Sequence, residues 1–179
     1  MLIASKIIPQ GAGLARVLVD RASTVELDWD TRQKSRFEVT DSEGRHIGVF
    51  LARGIVVRGG DVLVAENGAL IRVIASAQNI MHITYSKEHG TPFDLIRAAY
   101  HLGNRHVPIE LKPDHLKIEP DHVLAAMLQA MNLVVTQMDT TFEPENGAYA
   151  TQAHSHGDAR VHAHSHSHAH ALSDSEHHH

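Results

Sequence analysis

Along the first 75 residues the apolar positions fall in short runs rich in Val, Ile and Leu: "ARVLVD", "RFEVTD", "HIGVFLA", "DVLVAE" and "LIRVIAS". β-Branched side chains in runs of this length suit a pleated, half-buried surface, so each run predicts a strand. Between them stand "DSEGR", "RGGD" and "ENGA", whose Gly and Asn supply the positive φ that tight turns need. The pattern predicts an N-terminal all-β domain over residues 1–75.

From residue 76 the period changes. "NIMHITYS" (Asn79 to Ser86) reads as a strand and "TPFDLIRAAYHLGN" as a helix. Thr91 is placed to N-cap that helix, Pro92 suits its first position, and Gly103 can take the left-handed conformation at its end. Leu95, Ile96, Ala99 and Leu102 then share one face. "VPIEL" and "HLKI" predict two short strands around Lys112, Pro113 and Asp114. "PDHVLAAMLQAMN" predicts a second helix, with Pro120 at its start and Leu124, Met127, Leu128 and Met131 on one face, and "LVVTQMDTTF" a last strand. The order over residues 76–143 is β-α-β-β-α-β, that of a ferredoxin-like domain with both helices on one face of an antiparallel sheet.

Residues 144–179 differ in composition: of the 17 histidines, ten lie at or beyond His154. His154, His156, His162, His164, His166, His168 and His170 recur at short spacing among Ala, Ser, Gly and Asp, which cannot build a core. A two-residue step scatters side chains around a helix, so no packed element gains from the pattern. The expectation is a flexible His-rich tail that wraps metal ions with whichever imidazoles are nearest. A purification tag would account for His177, His178 and His179, but not for the interrupted run before them.

Charge and cysteine usage narrow the chemistry. The chain has no cysteine, so any metal site must use N and O donors, which suit Ni(II), Zn(II), Cu(II) or Co(II). A formal net charge of -5 and 4% aromatic residues leave no footprint for DNA or RNA. No apolar run approaches membrane-span length and the N-terminus lacks a secretory pattern, so a cytoplasmic protein without a membrane partner is expected. None of the motifs H-E-x-x-H, G-x-S-x-G or G-x-x-x-x-G-K-[ST] occurs, and a binding protein is expected rather than an enzyme.

Outside the tail, "YHLGNRHVPIEL" holds the most chemistry. It puts His106 just past a helix end and at the start of a strand, where an imidazole can project from a rigid frame. His101 and Arg105 flank it, and both suit a helix C-terminus through the macrodipole alone. His122 falls in the first turn of the second helix, where a neutral, ligating imidazole is better tolerated than a protonated one. His82 and His115 sit in strand patterns at outward-facing positions.

"KSRFEVTDSEGRHIGVFLARGIVVRGGDVLV", "AYHLGNRHVPIEL", "DHVLAAML" and the terminal histidine run together resemble the UreE family of urease accessory proteins. The resemblance covers essentially the whole folded part. It implies an N-terminal β domain, sometimes called peptide-binding, followed by a ferredoxin-like metal-binding domain. It also implies a homodimer in which His106 from both subunits forms one nickel site, since isologous contact brings two copies of a residue together. Family members with an auxiliary pair of histidines near the second helix would place them at Pro120 and His122, so here only His122 remains.

What the resemblance implies is a nickel metallochaperone that passes Ni(II) to the urease accessory GTPase and the urease apoprotein assembly complex, with tail histidines as extra capacity. Pairing of dimers into a tetramer stays open. A passive divalent-metal buffer that uses only the tail is the alternative; a metal-dependent hydrolase lacks any supporting motif.

Overall fold

The computed structural model describes residues 1–147. Its N-terminal part is a six-stranded mixed sheet in the order β2-β6-β5-β1-β4-β3. The strands are β1 (Leu2–Ile8), β2 (Ser23–Leu27), β3 (Arg36–Thr40), β4 (His46–Phe50), β5 (Val62–Ala65) and β6 (Leu70–Ala75). β1 runs parallel to β4 and antiparallel to β5, and β2 runs parallel to β6. Alternating apolar positions such as Ala4, Ile47, Val49, Leu63, Ile71 and Val73 fill one core. The turns use glycine as expected: Gly44 and Gly68 have φ of 77° and 85°.

Two expectations fail in this part. "ARVLVD" is not a strand; Arg16–Arg21 forms the short helix α1, with Val17 and Leu18 exposed and an Arg16–Asp20 ion pair one turn apart. Val19 instead lies over Gly11, where a β-carbon would meet its methyl at 3.1 Å. Strand propensity is a statement about packing on a sheet, and no sheet edge is offered to these residues. A second short helix, α2 (Trp29–Arg32), follows Asp28, whose carboxylate accepts from Thr31 N at 2.8 Å. The domain is therefore strand-rich with two helical turns and not all-β. The opening strand β1 lies in "LIASKII", a stretch whose apolar character marked no strand.

The second part holds β7 (Ala77–Tyr85), α3 (Pro92–Gly103), β8 (Glu110–Leu111), β9 (Leu116–Ile118), α4 (His122–Ala130) and β10 (Leu133–Thr141). The sheet order is β10-β7-β9-β8, with antiparallel neighbours throughout. Met81, Ile83, Leu116, Ile118 and Leu133 face the helices and pack with Leu95, Ala98, Leu102 and Leu128. By the two-residue alternation of strands, His82, Thr84, His115 and Lys117 face the other way.

Local chemistry sets the helix ends. The Thr91 backbone N–H donates to Asp94 Oδ2 at 2.8 Å and Pro92 opens α3. Asp121 caps α4: its Oδ1 accepts from Val123 N and Leu124 N at 2.8 and 2.9 Å. Pro120 stands before the cap. "VPIEL" yields only two strand residues, because Val107 still belongs to the helix-ending turn.

Residues Met1–Asn146 form one compact unit. Trp29, Ile80 and Phe142 make a separate small core that joins α2 to the sheet of β7 and the chain after β10. Arg32, fully buried, donates to Phe142 O at 2.6 Å, and its Nη1 lies 2.7 Å from Glu143 Oε1, close but not aligned as a hydrogen bond. Arg58 reaches the other carboxylate oxygen at 3.1 Å, and Gly59 N donates to Oε1 at 2.9 Å. Glu143 N donates to Glu110 Oε2 and Glu145 N to Ile109 O, so the chain stays attached beyond β10. No helix among the described residues is long and apolar enough to cross a membrane.

Candidate metal centre

α3 ends at Gly103, but that glycine does not take the left-handed conformation expected of it. Gly103 stays helical, Asn104 continues at φ -63°, and the left-handed residue is His106, with φ 57°. His106 N donates to Gly103 O at 2.9 Å and Val107 N to Leu102 O at 3.2 Å, the two bonds of a Schellman turn. Leu102 and Val107 join the same apolar core, as that motif favours. Glycine normally fills the left-handed position; a residue with a β-carbon there costs about 1 kcal/mol. Non-glycine strain of this kind gathers at functional positions. The turn holds the backbone of His106 rigidly while its imidazole stays exposed.

The helix that leads into the His106 turn carries a second unexpected feature. Ile96 does not share the buried face of Leu95 and Leu102; it is 62% exposed, with Phe93 at 61% and Tyr100 at 66%. Positions 93, 96 and 100 recur at helical spacing and form an apolar stripe on the outer side of α3. The buried face consists of Leu95, Ala98 and Leu102. Tyr100 also meets the His101 ring edge-on at 5.4 Å between centroids, and Arg105 Nη1 donates to His101 O.

His122 is the first residue of α4 and is exposed, as expected. It borders a shallow concavity with Pro120, Ala125, Gln129 and Gln137. Asp121 beside it is held below its usual carboxylate range, chiefly by the Leu124 N–H, against the opposing effect of burial and with help from Val123 N–H and the His122 charge.

His82 and His115 are brought together, which their separation in sequence concealed. Lys117 is the cross-strand partner of His82, so His115, two residues earlier, is its diagonal neighbour on the same face. Their ring centroids lie 4.4 Å apart, with planes tilted by 33°. His115 Nδ1 is 2.8 Å from Asp114 Oδ1. Both rings are half-buried. Burial first, then the charges of His115 and Lys117, push the His82 imidazole below its usual value.

Of the ligands expected from sequence, the fold places His106 after α3 and His122 at the start of α4. Among the described residues no three His, Asp or Glu side chains gather as a metal cluster within one chain. His154, His156, His162, His164, His166, His168 and His170 lie outside the described residues.

Residues 4–76 match the pattern described as UreE urease accessory protein, N-terminal domain, and residues 78–179 match UreE urease accessory protein, C-terminal domain. The urease accessory protein UreE of Albidiferax ferrireducens is 71% identical over 156 residues, 87% of this chain and 90% of that one. Its namesake in Polaromonas sp. is 71% identical over 154 residues, 86% of this chain and 70% of that one. In Acinetobacter baumannii a protein of the same name is 49% identical over 133 residues, 74% of this chain and 81% of that one.

Proposed function

This chain belongs to the UreE family of urease accessory proteins, and so to urease maturation rather than to catalysis, and we propose that within that role it is a nickel metallochaperone. Ni(II) is its cargo. Two protomers meet along α3, and His106 from each contributes one imidazole to a site on the two-fold axis.

The observation that carries this reading is the pairing of a strained, exposed His106 with the apolar stripe of Phe93, Ile96 and Tyr100 on the helix it terminates. One imidazole alone is a poor site. A second copy of the same face covers the stripe and supplies the second imidazole in one step, as isologous contact requires. Imidazole ligands exchange and are lost to protons, which suits an ion that must be handed on.

His122 and the tail histidines from His154 to His170 serve as auxiliary ligands and extra capacity. Zn(II), Cu(II) and Co(II) compete at the same nitrogen donors in vitro. The immediate recipient is the urease accessory GTPase, acting on the urease apoprotein assembly complex in the cytoplasm.

The test is nickel titration calorimetry with light scattering on a chain ending at Tyr149, with and without His106→Ala. The reading expects a dimer with one tight site that the substitution removes. If tight binding disappears with the tail and His106→Ala changes nothing in the full chain, the passive buffer replaces it.

A further inference from the structure

We propose that His82 and His115 form a second site for a borderline divalent ion of the Ni(II), Zn(II) and Cu(II) class, on the sheet face turned away from the helices. It is built independently of His106 and does not require a second protomer.

The register makes the pair. β7 and β9 are hydrogen-bonded neighbours, and the diagonal places the two rings 4.4 Å apart between centroids. The rings are tilted by 33°, and His115 Nδ1 is paired with Asp114 rather than with His82. A centroid separation of 4.4 Å is of the order that two imidazoles sharing one ion through bonds of about 2.0–2.1 Å would adopt.

Asp114 adds the orientation that metal-ligating histidines usually have. A carboxylate is an acceptor only, so His115 must donate Nδ1–H to Asp114 Oδ1, across 2.8 Å. In the neutral ring that leaves the lone pair on Nε2, the arrangement of a carboxylate–histidine–metal triad. Ionic Asp114 is favoured first by this bond to His115, which keeps its carboxyl below the usual range.

The surroundings favour neutral ligands. Half-burial and the neighbouring charges of His115 and Lys117 disfavour protonated His82. Lys117 itself is engaged elsewhere, with Nζ at 3.1 Å from Glu110 Oε1 and 3.0 Å from Thr141 O. No third protein ligand stands close among the described residues, so water completes the coordination. Two imidazoles and water make an open, exchangeable site rather than a closed structural one.

The experiment uses the chain ending at Tyr149, which keeps the whole compact unit through Asn146, carrying His106→Ala and His122→Ala. Titrated with Ni(II) and with Cu(II), it is expected to bind one ion per chain. Binding should vanish with His82→Ala or His115→Ala and weaken about tenfold with Asp114→Asn. In the His106→Ala, His122→Ala background, with His82 and His115 left intact, substoichiometric Cu(II) should broaden the imidazole proton resonances of His82 and His115 together, a readout that needs no substitution at the proposed site. The proposal is overturned if the background chain binds no ion, if binding survives both His82→Ala and His115→Ala, or if the two resonances do not broaden as a pair. Because His106 is already absent, failure here is separate from failure of the interface site.

Discussion

His106 unites two demands that sequence usually separates. It closes a helix in the left-handed conformation that glycine adopts at least cost, and it presents an exposed imidazole from the same turn. His106→Gly should therefore raise stability by about 0.5–1 kcal/mol in urea unfolding, because it relieves the backbone, while abolishing the tight nickel site in calorimetry. His106→Ala should abolish the site without the gain. If glycine destabilised the fold, the left-handed turn would be held by side-chain contacts rather than tolerated for function.

At the scale of elements, α3 has two apolar faces for different purposes. Leu95, Ala98 and Leu102 bind it to its own sheet, while Phe93, Ile96 and Tyr100 stay exposed and make the proposed protomer contact. Ile96→Asp puts a charge on the outer stripe and leaves the core alone, so light scattering should show monomers with the protomer fold retained by circular dichroism. In the β3–β4 hairpin, Asp41 is buried and yet remains acidic at about 2: burial opposes its charge, but Arg45, Ser23 and backbone donors outweigh it. Its folded value lies below the unfolded one, so the stabilisation is complete above about pH 4 and is lost as the pH falls through about 2. Asp41→Asn should flatten the acid limb of a melting-temperature profile over that window.

Across the whole molecule, one carboxylate ties the two sheets together. Glu143 meets buried Arg32 and partly buried Arg58, and both guanidiniums lie over the Trp29 ring, 5.4 and 5.0 Å from its centroid. Burial disfavours the Glu143 charge, but Gly59 N–H, Arg58 and Arg32 hold its carboxyl below the usual range. Glu143→Gln leaves Arg32 buried without its anion, and a cost of about 3–5 kcal/mol is expected in urea unfolding. Little or no loss would mean that the Trp29, Ile80 and Phe142 core carries the junction by itself.

The sequence by itself determined what periodicity and local chemistry can encode. The strands from "RFEVTD" to "LIRVIAS", the β-α-β-β-α-β order and Pro92 at a helix start all rest on short-range signals. It misjudged "ARVLVD" because a β-branched run becomes a strand only where a neighbouring strand accepts it. Gly103 was the wrong left-handed residue because helix length is set by how Leu102 and Val107 dock on the core, not by the nearest glycine. Only the tertiary structure decided which face of α3 is left open, since Ile96 and Leu95 are equally apolar and sheet packing alone separates them. It alone brought His82 to His115, because the meeting of side chains 33 residues apart depends on strand register, which no local pattern of residues records.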